Sequence, residues 1–220
     1  MRQETIENYL KTIYNFSYNN TAVVNNQRLS DKLNVSPATI TEGLKKLHEL
    51  NYVIYEKSYG TRLTTTGEKL ALSIVRRHRI WETYLVKELE FGWDEVHEIA
   101  EELEHIKNDK LINKLATILG NPIYDPHGDP IPDEKGKIQK SNFIKLSEAK
   151  PKNKYLIMGV TDHTPLFLKY LEKQQLIIGA QIIIKEIEDF DNSITLICQK
   201  KEIIISVKVA ESVILGEEII

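Results

Sequence analysis

Hydrophobic positions in the first third of the chain recur at helical spacing and then alternate. A first helix is indicated by an apolar face made of Ile6, Tyr9, Leu10, Ile13, Tyr14 and Phe16. Leu29 and Leu33 indicate a short second helix. A third is predicted from Pro37 to about Leu50, with Ser36 suited to cap it.

Two β-rich runs follow the third helix. Residues 52–56 and 61–63 are rich in β-formers, and Ser58 to Gly60 have the composition of a turn. Three helices followed by such a hairpin predict a winged helix-turn-helix.

The middle third is predicted to be helical and then irregular. A long helix begins near Thr66, with Gly92 as its breaker, and a second begins at about Asp94. A third covers 109–119 and ends at Gly120. Four prolines between positions 121 and 136 predict an extended loop.

The last third changes to a β pattern. Strands are predicted at 155–158, 180–187, 193–198 and 203–209, with one helix at about 164–174. The predicted fold class is therefore mainly α with a β wing plus a small β-barrel. Its domains are a DNA-binding domain at 1–72, a helical domain at 73–142 and a small β domain at 150–220.

Composition narrows the class of protein. Hydrophobic residues make up 41% of the 220 residues and charged residues 28%, which is typical of a globular chain. No apolar run is long enough to span a bilayer, and the first ten residues do not resemble a signal peptide. The single cysteine, Cys198, fits a reducing cytoplasm and excludes cysteine-based zinc sites.

Charge is distributed unevenly along the chain. Residues 1–72 carry 9 basic and 7 acidic side chains, a net of +2, whereas residues 73–142 carry 10 and 14, a net of −4. Only the predicted DNA-binding domain is basic, so a protein of net charge −3 can still bind DNA through a small basic surface.

The nonapeptide HEIAEELEH at 97–105 is the main candidate for metal chemistry. On a helix, His97, Glu101, Glu104 and His105 fall at i, i+4, i+7 and i+8 and point to one face. Carboxylate and imidazole donors this close together suit a divalent metal. The alternative is a solvated acidic face.

Other histidines also lie beside acids. His78 and Glu82 are four residues apart on the long helix, and four further candidates lie later in the chain: Asp125, His127, Asp162 and His163. One such pair is usually a solvated contact. Because five of the six histidines have this arrangement, the sequence favours metal binding.

The third helix and the hairpin supply the candidate DNA contacts. Hydroxyl and small side chains near the start of a recognition helix suit base edges, and lysines and arginines suit phosphates. The candidates are Arg28, Ser36, Pro37, Ala38, Thr39, Thr41, Lys45, Lys46, Lys57 and Arg62. A plain packing unit, or a winged helix used for protein contacts, is the alternative.

These segments resemble the family of the diphtheria toxin repressor and the manganese transport regulator. The resemblance covers about residues 4–140 and is more general in the last domain, which is similar to the family's SH3-like module. The matching stretches are NYLKTIY at 8–14, LTTTGEKLA at 63–71, RRHRIWETYL at 76–85, EVHEIAEELEH at 95–105 and NPIYDPHGDPIP at 121–132.

The resemblance implies two neighbouring metal sites per subunit. The regulatory site would use His78, Glu101, Glu104 and His105 with Asn8, at a position where family members carry Asp or Met. A further family ligand position is held by Lys11, which cannot bind metal. The second site would use Glu82, His97, Asp125 and His127, together with Asp162 or His163.

Glu101 bears on the identity of the metal. Iron-responsive members of the resembled family carry Cys at this position and manganese-responsive members carry Glu. Hard oxygen ligands favour Mn²⁺, with Fe²⁺ possible.

The expected function is a manganese-responsive, homodimeric repressor of metal uptake genes that binds a palindromic operator in double-stranded DNA. The alternatives are an iron-responsive repressor of iron homeostasis genes, a metal-dependent hydrolase, and a regulator whose acidic patch is only structural. No nucleophile or separate acid–base motif supports an enzyme.

Overall fold

The computed structural model describes residues 1–17, 22–57, 59–139 and 141–216, which form two compact units. Unit 1 consists of Met1–His78, Glu101–Asp109 and Pro132–Lys137. Unit 2 consists of Arg79–Ala100, Lys110–Ile131 and Ile138–Ile220. In the described part of the chain, no helix is both long and apolar enough to cross a membrane.

Unit 1 begins with the three predicted helices. They are α1 (Gln3–Phe16), α2 (Asn26–Leu33) and α3 (Pro37–Glu49). Ser36 caps α3 as expected, because its Oγ accepts a hydrogen bond from the Thr39 amide at 3.1 Å. Asn34, with φ of 51°, makes the left-handed turn between α2 and α3.

The predicted wing is also present. Strands β1 (Val53–Glu56) and β2 (Gly60–Leu63) pair antiparallel, with Val53 opposite Leu63. Val24 and Thr61 exchange two backbone hydrogen bonds of 2.8 Å, which adds a third segment to this small sheet. The predicted turn residue Ser58 lies outside the described residues.

Three further helices follow, and their ends differ from the expectation. They are α4 (Thr65–Leu89), α5 (Val96–Leu103) and α6 (Asp109–Ile118). Gly92 does not terminate α4: the helix ends three residues earlier, where Glu90 has φ of 57°. Its start is capped by Thr64, whose Oγ1 accepts from the Gly67 amide at 3.0 Å.

The end of α5 corrects the argument about the nonapeptide. The helix stops at Leu103, so Glu104 and His105 lie in the turn after it. The four polar side chains of HEIAEELEH therefore do not share one face of a continuous helix.

Unit 2 contains the C-terminal sheet. Its elements are β3 (Ile144–Lys145), a 3₁₀ turn (Leu146–Glu148), β4 (Lys154–Val160), α7 (Pro165–Lys173), β5 (Gln181–Ile187), β6 (Ile194–Cys198), β7 (Lys201–Ile205), α8 (Val207–Ser212) and β8 (Val213–Leu215). The six strands are antiparallel, in the order β3-β8-β4-β5-β6-β7. Alternate apolar side chains of the strands form its core.

The strand predicted at 203–209 is wrong in its second half. Strand β7 ends at Ile205, and Ser206 then caps α8 by accepting from the Val209 amide at 3.4 Å. The alternation of apolar and polar residues does not reveal this helix cap, because Val207 and Val209 continue the composition of a strand.

The proline-rich loop at 121–131 lies against β4 through two facing glycines. The Val160 amide donates to the His127 carbonyl oxygen at 2.9 Å. Gly128 has φ of +87°, and a Cβ there would lie 2.1 Å from the Met158 carbonyl oxygen. Only glycine permits this approach, so the glycine in DPHGDP fixes where the loop places Asp125 and His127.

We expect Gly128→Ala to destabilise the protein far more than Gly120→Ala. Both glycines have positive φ, but a Cβ at Gly120 meets no described atom within 4 Å. Gly120→Ala should cost about 1 kcal/mol from backbone strain alone. Gly128→Ala adds a clash with β4 and should cost at least about 3 kcal/mol. Urea unfolding of the two variants measures the difference; equal losses would contradict the close approach.

Candidate metal centres and nucleic-acid interface

The first candidate centre, the α1 centre, lies within unit 1. It consists of seven polar side chains from α1, α4 and the segment around the end of α5, namely Glu7, Asn8, Lys11, His78, Glu101, Glu104 and His105. Four of the five residues predicted for the regulatory site, all except Asn8, take part in its ion pairs.

Glu104 is a fully buried acid of the α1 centre. Its side chain is 0% exposed, and Oε2 lies 2.6 Å from Lys11 Nζ and 2.7 Å from His78 Nδ1. Among the described residues, its other oxygen, Oε1, has no hydrogen-bond partner. A buried carboxylate oxygen without a donor is costly in a protein interior unless a cation is near it.

Glu101 faces the same lysine. Its Oε1 lies 2.7 Å from Lys11 Nζ, and its side chain is 38% exposed. A ligand atom of Glu101 and one of His78 lie within 4.8 Å of each other, which is within the span of a single metal ion's ligands. The two carboxylates and the imidazole therefore converge as the sequence predicts, although Glu104 reaches the centre from a turn.

Asn8 is the weak ligand position implied by the resemblance. Its Oδ1 is buried and, among the described residues, has no hydrogen-bond partner. Asn8 and Glu104 thus each contribute one unpaired, buried oxygen, and oxygen is the donor that a hard divalent cation prefers. The residues of the α1 centre fit such a cation on this ground.

Glu7 is a member of the α1 centre that the sequence argument missed. It is fully buried, and its Oε2 lies 2.7 Å from His105 Nδ1 and 3.5 Å from Arg77 Nη2. Lys107 Nζ lies 3.1 Å from Oε1. Burial raises the pKa of Glu7, but hydrogen bonds from His105 and Lys107 outweigh it and leave the pKa below its ordinary value. The i, i+4 spacing of Glu7 and Lys11 was the one sequence signal.

The second candidate centre, the loop centre, lies within unit 2. It consists of Glu82 on α4, His97 on α5, and Asp125 and His127 from the loop at 121–131. Ligand atoms of Glu82, Asp125 and His127 all lie within 4.8 Å of one another, and all three residues are buried. Glu82 Oε1 also lies 3.2 Å from His97 Nδ1.

His127 presents a nitrogen to this acidic pair. Its side chain is 0% exposed, and Nε2 lies 2.8 Å from the Trp93 carbonyl oxygen, to which it donates. Nδ1 lies 3.5 Å from Glu82 Oε2 and has no hydrogen-bond partner among the described residues. A buried imidazole nitrogen oriented in this way, with its second nitrogen held by a carbonyl, is the arrangement of a metal-binding histidine.

The electrostatics of the loop centre reflect an excess of buried acid. Burial, together with the charges of Asp129 and Glu82, raises the pKa of Asp125 to about 7. For His127, burial lowers the pKa, but contact with Glu82 and the charge of Asp125 overcome it and raise the value to about 9. The centre therefore has a surplus of negative charge that a cation would offset. Arg79 supplies part of the positive charge that offsets this surplus, and its Nε lies 3.5 Å from Asp125 Oδ2.

The last two candidates of the sequence argument are placed differently from each other. The His163 ring stacks on the His127 ring at a centroid distance of 4.7 Å, and burial lowers its pKa. Asp162 Oδ1 instead accepts from the Thr164 amide at 2.9 Å, at the start of α7. The structure brings His163 to the loop centre and uses Asp162 in a turn, so Asp162 remains only a sequence-based prediction as a ligand.

The surface predicted to bind DNA is largely exposed. Nine of the ten candidates are exposed: Arg28, Ser36, Pro37, Ala38, Thr39, Lys45, Lys46, Lys57 and Arg62. Thr41 is half-buried, because its Oγ1 donates to the Pro37 carbonyl oxygen at 3.0 Å and accepts from Asn26 Nδ2 at 3.2 Å. The Arg28 guanidinium lies 4.3 Å from the centre of the Phe16 ring.

The opposite face of α3 is buried against its neighbours. Ile40, Leu44 and Leu47 are fully buried. Gly43 lies so close to the Tyr9 ring of α1 that a Cβ there would be 2.8 Å from Tyr9 Oη. Tyr9 Oη also donates to the Thr39 carbonyl oxygen at 3.4 Å. The recognition helix therefore takes its position from α1.

Models of three protein domains match nearly the whole chain. The iron dependent repressor N-terminal DNA binding domain matches residues 1–61, and the iron dependent repressor metal binding and dimerisation domain matches residues 64–133. The FeoA domain matches residues 144–215. These matches agree with the predicted winged helix, helical domain and small β domain in that order.

Solved structures of two repressors are similar over the full length. A manganese-dependent transcriptional repressor in complex with manganese is 29% identical, covers 96% of this chain and 99% of its own, and superposes with a TM-score of 0.87. The repressor ScaR with bound Cd²⁺ is 32% identical, with 96% and 99% coverage and a TM-score of 0.79.

Curated relatives match over shorter stretches. The iron-dependent repressor IdeR of Mycobacterium leprae is 30% identical over 129 residues, which is 59% of this chain and 56% of that protein. A probable metal transport system membrane protein of Chlamydia trachomatis is 47% identical over 75 residues, or 34% of this chain and 17% of that protein.

The fold and the two candidate centres define a metalloregulator with a winged-helix domain, and the comparisons give its family. The chain belongs to the family of iron-dependent, diphtheria toxin repressor-like transcriptional repressors. This is a family of DNA-binding proteins and not of enzymes, so the hydrolase alternative is excluded.

We expect Glu7→Gln to destabilise the metal-free protein by about 3 kcal/mol, because it leaves Arg77 and His105 beside a neutral buried amide. Glu4→Gln is the matched control: Glu4 is an exposed acid in the first turn of the same helix, and its loss should cost less than about 0.5 kcal/mol. Urea unfolding in EDTA measures both. Equal values would contradict a structural role for the Glu7 ion pairs.

Proposed function

We propose that this chain is a manganese-responsive repressor that binds palindromic double-stranded DNA as a homodimer and controls metal uptake genes. Its family, and the manganese-dependent repressor that it resembles over its full length, support this proposal. A DNA-binding repressor of this kind is expected to act in the cytoplasm. We propose that the chain has a DNA-binding domain at 1–72, a helical domain at 73–142 and a small β domain at 150–220.

One observation carries the proposal: α1 belongs both to a candidate metal centre and to the recognition-helix packing. Asn8 and Lys11 face the α1 centre, and Tyr9 packs against Gly43 and bonds to Thr39 on α3. A ligand that fixes α1 therefore also fixes the helix that would enter the major groove.

The proposed regulatory ligands are His78, Glu101, Glu104, His105 and Asn8. Unpaired oxygens on Asn8 and Glu104 support this set. A divalent cation bound there would supply the positive charge that these buried acceptors need. Asn8 offers a neutral oxygen where an acid would bind more strongly, so we expect its contribution to be modest.

The proposed ligands of the second site are Glu82, His97, Asp125 and His127. Two observations support this set: His127 Nδ1 has no hydrogen-bond partner among the described residues, and ligand atoms of Glu82, Asp125 and His127 lie within 4.8 Å of one another. His163, stacked on His127, is proposed to orient that ring, and Asp162 is the least supported of the predicted ligands.

Manganese is the preferred candidate because the proposed ligands are carboxylate, amide and imidazole groups without sulfur. Fe²⁺ accepts similar ligands and remains the alternative metal. Among similar proteins, one repressor was solved with manganese and ScaR with cadmium, so the donor set of this fold accepts more than one divalent ion.

The proposed mechanism is a population shift. The chain's own residues hold α1 against the segment at 101–105, which keeps α3 at the position and spacing that a palindrome requires. A metal that binds this arrangement more tightly than others raises its population. The coupling is reciprocal, so DNA must raise metal affinity by the same factor.

We expect DNA binding to require a divalent metal. Fragments selected from a random-sequence library with the manganese-loaded protein should bind at least about tenfold more weakly in EDTA, which corresponds to a coupling of about 1.4 kcal/mol. Fluorescence anisotropy measures this in EDTA, in Mn²⁺ and, under anaerobic conditions, in Fe²⁺. Thr39→Ala should weaken binding in every metal.

Equal affinity in EDTA and Mn²⁺ would favour a regulator with a structural acidic patch instead. Equal or stronger binding in Fe²⁺ than in Mn²⁺ would favour the iron-responsive alternative.

We expect two bound metal ions per chain, one in each centre. Glu104→Gln and His127→Gln should each reduce the stoichiometry from two to one, because each removes a buried ligand from a different centre. Elemental analysis after equilibrium dialysis against MnCl₂ counts the ions. Asp162→Asn is the control and should retain both; a stoichiometry of one in the unaltered protein would rule out two sites.

A further inference from the structure

Lys11 places a positive charge at the middle of the α1 centre. Its Nζ lies 2.6 Å from Glu104 Oε2 and 2.7 Å from Glu101 Oε1, and its side chain is only 9% exposed. A lysine on α1 is therefore in contact with two of the carboxylates that are proposed to bind metal.

The cost of burying charge explains this arrangement. Two carboxylates close together repel each other, and Glu104 has no access to solvent. An ammonium group offers three donors and one positive charge, so it bonds to one oxygen of each acid and offsets part of their negative charge without a metal. Lys11 thus provides, from within the chain, part of the charge compensation that a cation would otherwise provide.

The same oxygen atoms cannot serve both partners fully. The Lys11 ammonium lies 2.6 to 2.7 Å from an oxygen of each carboxylate, which is close to the position that a metal ion bound by the same oxygens would take. The two cations would repel each other strongly at this distance. For a divalent ion to use Glu101 and Glu104 together, Lys11 Nζ has to leave at least one of them.

We propose that Lys11 is a tethered competitor that sets the metal affinity of the α1 centre, releasing Glu101 and Glu104 when a divalent ion binds. This inference rests on the proposed metal site. Withdrawing Nζ from the buried Glu104 and the half-buried Glu101 opposes metal binding, so the centre responds only at higher metal concentration than its carboxylates alone would allow. The affinity is lowered by a residue that is not itself a ligand.

The test compares Lys11→Met with the unaltered protein by calorimetric titration with MnCl₂. Methionine keeps most of the length of the side chain and removes the charge, and its soft thioether is a poor ligand for Mn²⁺. We expect Mn²⁺ to bind the α1 centre of the variant about tenfold more tightly or better, and the urea midpoint of the variant in EDTA to fall. Glu104→Gln identifies which of the observed binding events belongs to this centre.

Lys185→Met is the matched control. Lys185 Nζ also lies 2.6 Å from a glutamate, Glu202, but this pair is exposed in the C-terminal sheet. Its removal should change the Mn²⁺ affinity by less than twofold. Lys11→Arg, which keeps the charge, should stay within a few fold of the unaltered protein. If Lys11→Met does not fold in EDTA, Lys11→Gln, whose amide still donates to a carboxylate, takes its place.

The outcomes separate the two proposals. Mn²⁺ binding that is unchanged or weaker in Lys11→Met overturns the role of Lys11 and leaves the metal site standing. Absence of binding in both proteins overturns the metal site and the inference with it. Binding only in the variant supports Lys11 as a competitor whose charge keeps metal out.

Discussion

The buried charge of Glu104 is the interaction on which unit 1 depends. A carboxylate with no exposed surface requires partners; Lys11 on α1 supplies a positive charge and His78 on α4 supplies a ring nitrogen at 2.7 Å. Glu7, one turn before Lys11 on α1, has the same requirement; Arg77 and Lys107 supply positive charge, and His105 Nδ1 lies 2.7 Å from its Oε2. These contacts bring together α1, α4 and the end of α5, which are far apart in sequence.

In the proposed mechanism, this charge network is the route by which bound metal would affect DNA binding. Helix α1 takes part in two sets of contacts. Asn8 and Lys11 face the α1 centre, and Tyr9 packs against Gly43 on α3. Under the proposed mechanism, a change in the charge compensation around Asn8 and Lys11 would therefore alter how firmly α1 holds α3. The α1 helix needs no large movement for this coupling, because the recognition helix is in direct contact with it.

The loop centre solves a similar problem with different residues. Glu82, Asp125 and His127 are all buried; burial and the charges of Asp129 and Glu82 raise the pKa of Asp125, and Glu82 and Asp125 raise the pKa of His127 against the effect of its burial. The loop reaches this position because Gly128 and Gly159 allow the backbone of the loop and that of β4 to approach closely. Packing of the main chain therefore places Asp125, which also pairs with Arg79, whereas ion pairs hold the acids of the α1 centre.

The sequence by itself determined the local elements and most of the polar residues at the two centres. Helical periodicity, the Ser36 cap followed by Pro37, and the hairpin composition predicted the winged helix with small errors at the ends of helices. The pairing of histidines with acids predicted Glu101, Glu104, Glu82 and His127, although α5 ends before Glu104. Local spacing succeeded because caps and amphipathic faces depend on residues within one or two turns.

Only the tertiary structure decided which charges meet. Glu7 contacts His105, and Lys11 contacts Glu104, across more than 90 positions of sequence. No spacing rule reports such contacts, since they follow from how helices pack. For the same reason, the sequence identified Lys11 only as a residue that cannot bind metal. The structure shows that it lies buried between two carboxylates and is a charged partner of the centre.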